Sequence, residues 1–141
     1  MPSFERCVVL VADDEPSVLR LVTHVLARHG YDVIPATDGK NALDVCQKRK
    51  GPIHLAVLDV MMPGMTGPEL AEYLKAHDPK IEVMFMSGFR SDQTRDLLLG
   101  IKDAHFLAKP FLPRDILDSV NEILGNSDEC VFEDETTVEI G

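Results

Sequence analysis

The chain has 141 residues, 45% of them hydrophobic and 27% charged, enough for one globular domain with a hydrophobic core. Its formal net charge of −10 argues against direct binding to nucleic acid or to an anionic membrane, because both need basic patches. The sequence has no apolar run of membrane-spanning length and no signal-peptide pattern at its N-terminus. We therefore expect a cytoplasmic protein.

The three cysteines, Cys7, Cys46 and Cys130, are too few for a disulfide framework and have no close CxxC partner. A zinc site is therefore not expected. Cys7 and Cys46 lie within apolar patterns, so we interpret them as small core residues, which agrees with a reducing compartment.

The first predicted strand is Cys7–Ala12, a β-branched apolar run. Pro16 suits the first turn of a helix, and apolar residues at helical spacing continue from there to Gly30, a typical helix stop. Tyr31–Ala36 is a weaker strand whose proline places it at a sheet edge or a strand end. A second helix follows, capped within residues 37–39 and ended by the basic run 48–50.

The central stretch, Ile53–Asp59, is a short apolar run bounded by turn residues, which is typical of a strand buried on both faces. It ends in a carboxylate and a Pro/Gly loop, after which Thr66–Glu69 matches the capping box of a third helix. The remaining elements are a strand, a short helix, a strand and a last helix ending at Gly125, predicted at Ile81–Met86, 91–99, Ala104–Ala108 and from Pro113.

Five strands alternating with five helices predict a doubly wound α/β fold, (βα)5, with a parallel sheet and helices on both faces. We expect this domain to span residues 1–125. Residues 126–141 carry six acidic residues and no basic one, which is typical of a disordered acidic tail. Their strand-like stretches 130–132 and 136–140 favour docking on a partner instead, and the sequence leaves both interpretations open.

Polar side chains follow four of the predicted strands at their carboxyl ends, which share one edge of a parallel sheet. The flavodoxin-like strand order 2-1-3-4-5 brings them together. These residues are Asp13 and Asp14 after the first strand, Asp59 ending the third, Ser87 after the fourth and Lys109 after the fifth.

Three packed carboxylates repel one another, and a hard divalent cation relieves the repulsion. Mg²⁺ prefers oxygen ligands, so Asp13, Asp14 and Asp59 with a backbone carbonyl of the 60–61 turn form a candidate site. Lys109 and Ser87 can contact phosphoryl oxygens, which completes the groups needed for phosphoryl transfer onto Asp59. The sequence has no P-loop and no kinase motif, so we expect the phosphoryl group to come from a separate donor.

From about Cys7 to Leu124 the sequence resembles the receiver domain of two-component response regulators. The resemblance rests on four motifs at predicted strand ends: VLVADDEP at 9–16, VLDVMMPGMTG at 57–67, MSG at 86–88 and AKPF at 108–111. The MSGF run at 86–89 is also similar to receivers fused to hybrid histidine kinases.

The resemblance implies that Asp59 accepts the phosphoryl group of a kinase phosphohistidine. It also implies that Asp13, Asp14, Asp59 and the Met61 carbonyl hold Mg²⁺.

The same resemblance implies that Lys109 pairs with the phosphoryl group, that Ser87 moves to bond it, and that Phe106 is an aromatic switch that turns inward. Phe106 stands where the family often has tyrosine, so its switch would lack a hydroxyl. The Lys109–Pro110 peptide is expected to be cis.

We therefore expect a phosphorylation-controlled switch, not a turnover enzyme, with slow self-hydrolysis of the acyl phosphate. Its expected partner is a sensor histidine kinase or a phosphotransfer domain. The face of the fourth helix, fifth strand and last helix would dimerise or dock on a partner.

The alternatives are a pseudo-receiver that signals without phosphorylation and an Mg²⁺-dependent phosphohydrolase, which Met61 disfavours because it cannot donate a proton. A flavin-binding protein is disfavoured because the acidic residues after the first strand would repel a phosphate.

Overall fold

The computed structural model describes residues 7–88, 96, 98–101 and 103–125. Within these ranges the structure has five strands and four helices. They are β1 (Val8–Ala12), α1 (Pro16–Arg28), β2 (Asp32–Ala36), α2 (Gly39–Lys48), β3 (Leu55–Asp59), α3 (Gly67–His77), β4 (Glu82–Ser87), β5 (His105–Ala108) and α4 (Pro113–Gly125). The helix predicted over 91–99 and the predicted tail 126–141 lie mainly or wholly outside the described residues.

All five strands are parallel and stand in the order β2-β1-β3-β4-β5, so the predicted flavodoxin-like doubly wound α/β fold is confirmed. β3 lies in the middle, between β1 and β4, which is why its sequence is apolar throughout. β2, which contains Pro35, lies at one edge of the sheet, as predicted, and β5 lies at the other.

The hydrophobic core has two layers, one on each face of the sheet, because successive strand side chains point to opposite faces. In one layer, alternate strand residues such as Val9, Val57 and Met84 pack against α1 and α4. In the other, the intervening residues, such as Leu58 and Phe85, pack with buried residues of α2 and α3. The sheet is thus held from both sides, and its carboxyl edge is left for polar groups.

The helix ends follow the local signals in the sequence. The capping box of α3 is formed: the Glu69 N–H donates to Thr66 Oγ1 at 3.2 Å, and the Thr66 N–H donates to Glu69 Oε1 at 2.9 Å. Asp38 caps α2 by accepting from the Asn41 N–H at 2.7 Å. Gly30 follows α1 with φ +96°, a backbone conformation that favours glycine.

The described cysteines differ in state. Cys7 is a fully buried core residue, as predicted, and it is also disulfide-bonded, which the sequence did not predict. Cys46 is a free, half-buried thiol, and burial raises its pKa, which makes it a weak nucleophile. In the ranges that the structure covers, none of the helices has the length and apolar character of a membrane span.

Candidate functional site

The carboxyl edge of the sheet brings together the residues that the sequence places at strand ends. Asp59 is the last residue of β3 and Ser87 the last of β4, while Asp13 and Lys109 directly follow β1 and β5. Backbone hydrogen bonds continue into these positions, since the Lys109 N–H donates to the Ser87 carbonyl at 2.8 Å and the Asp13 N–H to the Ala36 carbonyl at 3.2 Å. The edge is therefore held by the sheet itself.

Asp13, Asp14 and Asp59 form a carboxylate cluster in which one oxygen of each lies within 4.8 Å of the others. Their environments differ: Asp13 is fully buried, Asp59 is 8% exposed, and Asp14 is exposed. Ionised carboxylates this close repel one another. The cluster therefore needs a cation beside it.

Lys109 supplies that cation in the present structure. Its Nζ lies 2.9 Å from Asp13 Oδ2 and 3.3 Å from Asp59 Oδ1, and its side chain is only 19% exposed. The other oxygen of Asp13, Oδ1, accepts from the Glu15 N–H at 2.8 Å. One ammonium against three carboxylates leaves two negative charges on the cluster.

Burial and these charges shift the pKa values of Asp59 and Lys109. Burial, and then the charge of Asp13, raises the pKa of Asp59 from 3.8 to about 6, although Lys109 opposes the change. Burial alone would lower the pKa of Lys109, but its hydrogen bond to Asp13 and the charges of Asp13 and Asp59 prevail and raise it. Lys109 therefore stays protonated, and Asp59 becomes largely ionised only above about pH 6.

The donor set fits a hard divalent cation. Three carboxylates with a net negative charge are the ligands that Mg²⁺ prefers, and the exposed Asp14 opens the cluster to solvent. Met61 lies two residues after β3 and is 42% exposed. The metal-binding role of its backbone carbonyl stays a prediction.

Ser87 and Phe106 lie on the neighbouring strands β4 and β5. Ser87 is only 7% exposed. Phe106, on the edge strand β5, is 50% exposed, and its ring centroid lies 5.9 Å from that of Phe85. The ring is thus outside the core in this structure. The Lys109–Pro110 peptide is cis, as the resemblance implies.

In the sequence, Gly67 belongs to the 57–67 motif and to the capping box of the third helix, and the structure shows that it also lies against Asp59. A Cβ there would overlap the carbonyl oxygen of Asp59 and lie 3.2 Å from the Val60 Cα. The Gly67 N–H also donates to the Val60 carbonyl at 2.8 Å. A glycine eight residues after a candidate acceptor, next to a capping box, is the signal that could have identified it.

A doubly wound fold with a carboxylate cluster and a lysine at the carboxyl edge of its sheet indicates the class: a domain that accepts a phosphoryl group and acts as a switch. The model of the response regulator receiver domain matches residues 9–121. The chain belongs to this family. Family members are signalling switches that work with histidine kinases or phosphotransfer proteins, and they bind Mg²⁺ at an aspartate cluster.

Relatives of several architectures are similar to the chain. The alkaline phosphatase synthesis transcriptional regulatory protein PhoP of Bacillus subtilis is 35% identical over 122 residues, covering 85% of this chain and 49% of PhoP. The response regulator receiver protein CpdR of Brucella abortus is 31% identical, covering 82% of this chain and 95% of CpdR. The chain spans about half the length or less of the first curated relatives that it matches.

Solved receiver structures have the same fold. The chemotaxis protein CheY4 of Vibrio cholerae superposes with a TM-score of 0.74 at 28% identity, covering 85% of this chain and 100% of that one. The response regulator TrrA of Thermotoga maritima, in complex with Mg²⁺–BeF, superposes with a TM-score of 0.67 at 26% identity, covering 84% of this chain and 99% of TrrA.

Proposed function

We propose that Asp59 is the phosphoryl acceptor of this receiver domain and that Asp13, Asp14, Asp59 and the Met61 carbonyl hold Mg²⁺ during the reaction. The observation that carries the proposal is the contact of the Lys109 ammonium with Asp59, 3.3 Å away, inside a cluster of three carboxylates. Such a site combines a nucleophile, metal ligands and a cationic clamp. The Mg²⁺–BeF complex of TrrA is consistent with this assignment.

The proposed reaction is a direct transfer between two side chains. An Asp59 oxygen attacks the phosphorus of a phosphohistidine, so one O–P bond forms while the N–P bond breaks and the imidazole nitrogen keeps the electron pair. Mg²⁺ held by Asp13, Asp14, Asp59 and the Met61 carbonyl would supply positive charge that offsets the negative charge of the reacting groups. Lys109 pairs with one phosphoryl oxygen and Ser87 donates its hydroxyl hydrogen to another.

The protonation state of Asp59 sets the pH range of the proposed reaction. Because its pKa is about 6, the nucleophile is mostly ionised at neutral pH and mostly protonated below pH 6. Phosphoryl acceptance should therefore fall as the pH is lowered through this range.

We propose that phosphorylation biases a two-state element that includes Ser87 and Phe106. The half-exposed ring of Phe106 would turn inward when Ser87 moves towards the phosphoryl group. Signal output would come from the face of the fourth predicted helix, β5 and α4, through a homodimer or a protein partner. The exposed Phe106 and the 59% exposed Leu112 support this choice of face.

The partner that we propose is a sensor histidine kinase or a phosphotransfer domain, with no direct contact to nucleic acid or membrane, as the net charge of −10 suggests. The chain acts as a switch, and its only chemistry is its own phosphorylation and slow hydrolysis. We propose the cytoplasm as its compartment because histidine kinases are phosphorylated from ATP there. We also propose that residues 1–125 form the receiver unit and that residues 126–141 are an acidic extension.

The test is the intact mass of the full chain after incubation with Mg²⁺ and acetyl phosphate or phosphoramidate. We expect a gain of one phosphoryl group that requires Mg²⁺, is absent in Asp59→Asn and decays after the donor is removed. Asp44→Asn, which removes an exposed carboxylate from α2, should behave like wild type. A folded wild-type protein without any gain would favour the pseudo-receiver that signals by binding alone.

A further inference from the structure

Cys7 forms a disulfide bond although it lies in the hydrophobic core. It directly precedes β1, at the amino edge of the sheet, and it is fully buried. It belongs to the same core layer as Leu124, near the end of α4. Burial keeps solvent and other thiols away from the sulfur atom, so a disulfide there is protected from exchange. The bond takes no part in the site around Asp59, which lies at the carboxyl edge.

The sequence leaves one partner for this bond. The chain has three cysteines, Cys7, Cys46 and Cys130, and the structure contains a single chain, so the bond is intramolecular. Cys46, on α2, has a free thiol. It packs against the other core layer, on the far side of the sheet from Cys7. Cys130, which lies outside the described residues, is therefore the remaining partner.

The chain after α4 is long enough to reach Cys7. Cys130 follows Gly125, the last residue of α4, by five positions, and an extended segment of this length spans about 17 Å. The Cα atoms of a disulfide lie about 5.5 to 6 Å apart. Because Leu124 and Cys7 share one buried cluster, residues 126–130 have only a short distance to cover.

We propose that Cys7 and Cys130 form a redox-sensitive disulfide that fastens the acidic C-terminal segment to the amino edge of the sheet. The bond forms by exchange with a small-molecule disulfide: the two cysteine thiols lose two protons and two electrons, and the small molecule leaves as two thiols. Reduction reverses the step and releases residues 126–141, which carry six acidic residues. In a reducing compartment, disulfides are usually of this regulatory kind. The inference does not depend on the function proposed for Asp59.

Peptide mapping tests the pairing, because trypsin places each cysteine in a different fragment. Cleavage after lysine and arginine gives residues 7–20 for Cys7, 41–48 for Cys46 and 115–141 for Cys130. The full chain is treated with oxidised glutathione, its free thiols are blocked, and it is digested without reductant. We expect a monomer in which fragments 7–20 and 115–141 are joined by a bond that dithiothreitol breaks. A different joined pair, a linkage between two chains, or no joined fragments overturns the inference.

Thermal unfolding tests whether the bond fastens the segment to the folded domain. A cross-link that closes a long loop stabilises a protein by restricting its unfolded chain, so oxidised wild type should unfold at least about 5 °C above reduced wild type. Cys130→Ser should unfold near reduced wild type in both conditions. The matched control Cys46→Ser should keep the full difference. A Cys130→Ser protein that still responds to reductant, or a wild type that does not, overturns the inference.

Discussion

Replacing Asp59 with asparagine should stabilise the metal-free protein at neutral pH, although it removes the proposed acceptor. Burial and the charge of Asp13 raise the pKa of Asp59 from 3.8 to about 6. A pKa difference of about two corresponds to roughly 3 kcal/mol at ~1.4 kcal/mol per unit. Asparagine is neutral at every pH and is nearly the same size. We expect Asp59→Asn to raise the free energy of unfolding by roughly 1 to 3 kcal/mol at about pH 7.5, the lower value allowing for a weakened contact to Lys109.

The pH dependence gives this prediction its sign. Because the pKa of Asp59 is higher in the folded than in the unfolded chain, folding favours the protonated carboxyl group. Its contribution to stability is fully present below about pH 3.8 and is lost as the pH rises through about 6. The difference in unfolding free energy between Asp59→Asn and wild type should therefore be near zero at about pH 4 and largest above about pH 7.

The assay is urea unfolding in EDTA, followed by far-ultraviolet circular dichroism because the chain has no tryptophan. Asp44→Asn is the control, since it removes the same charge from an exposed pair with Lys48 and should change stability by only a few tenths of a kcal/mol. Saturating Mg²⁺ should stabilise wild type more than Asp59→Asn, and so reduce the difference between their free energies of unfolding. An Asp59→Asn protein less stable than wild type at about pH 7.5, or a gap independent of pH, would refute the reasoning.

Three further substitutions test how the structure supports the site. Gly67→Ala should lower the free energy of unfolding by roughly 1 to 3 kcal/mol, because the added Cβ overlaps the Asp59 carbonyl. It should also slow phosphoryl acceptance in the mass assay. Wild-type stability together with wild-type phosphorylation would contradict the close contact. Thr66→Ala removes the cap of α3 and should lower the free energy of unfolding, measured from unfolding curves, by about 1 kcal/mol. Its phosphorylation should be unchanged. Tyr31→Phe, which loses the hydrogen bond from its hydroxyl to Asn121, should also cost about 1 kcal/mol in unfolding experiments, and an unchanged midpoint would count against that bond.

The order and type of the described elements could be predicted from the sequence because the signals are local. Apolar runs of strand length, helical spacing and Pro, Gly or capping residues at the ends each depend on a few neighbouring residues. The capping box of α3 and the stop at Gly30 are examples, and both are confirmed. The parallel sheet and its shared edge then follow from alternation alone. Local signals of this kind could not predict the disulfide of Cys7, because disulfide formation depends on the three-dimensional distance between two cysteines.

The sequence by itself therefore determined which residues reach the carboxyl edge: Asp13, Asp14, Asp59, Ser87 and Lys109 each lie at a strand end. Only the tertiary structure decided how they differ. Asp13 is fully buried, although its neighbour Asp14 is exposed. Lys109 lies between Asp13 and Asp59. Burial and ion pairing depend on how strands distant in the chain pack side by side, and no local pattern encodes those distances.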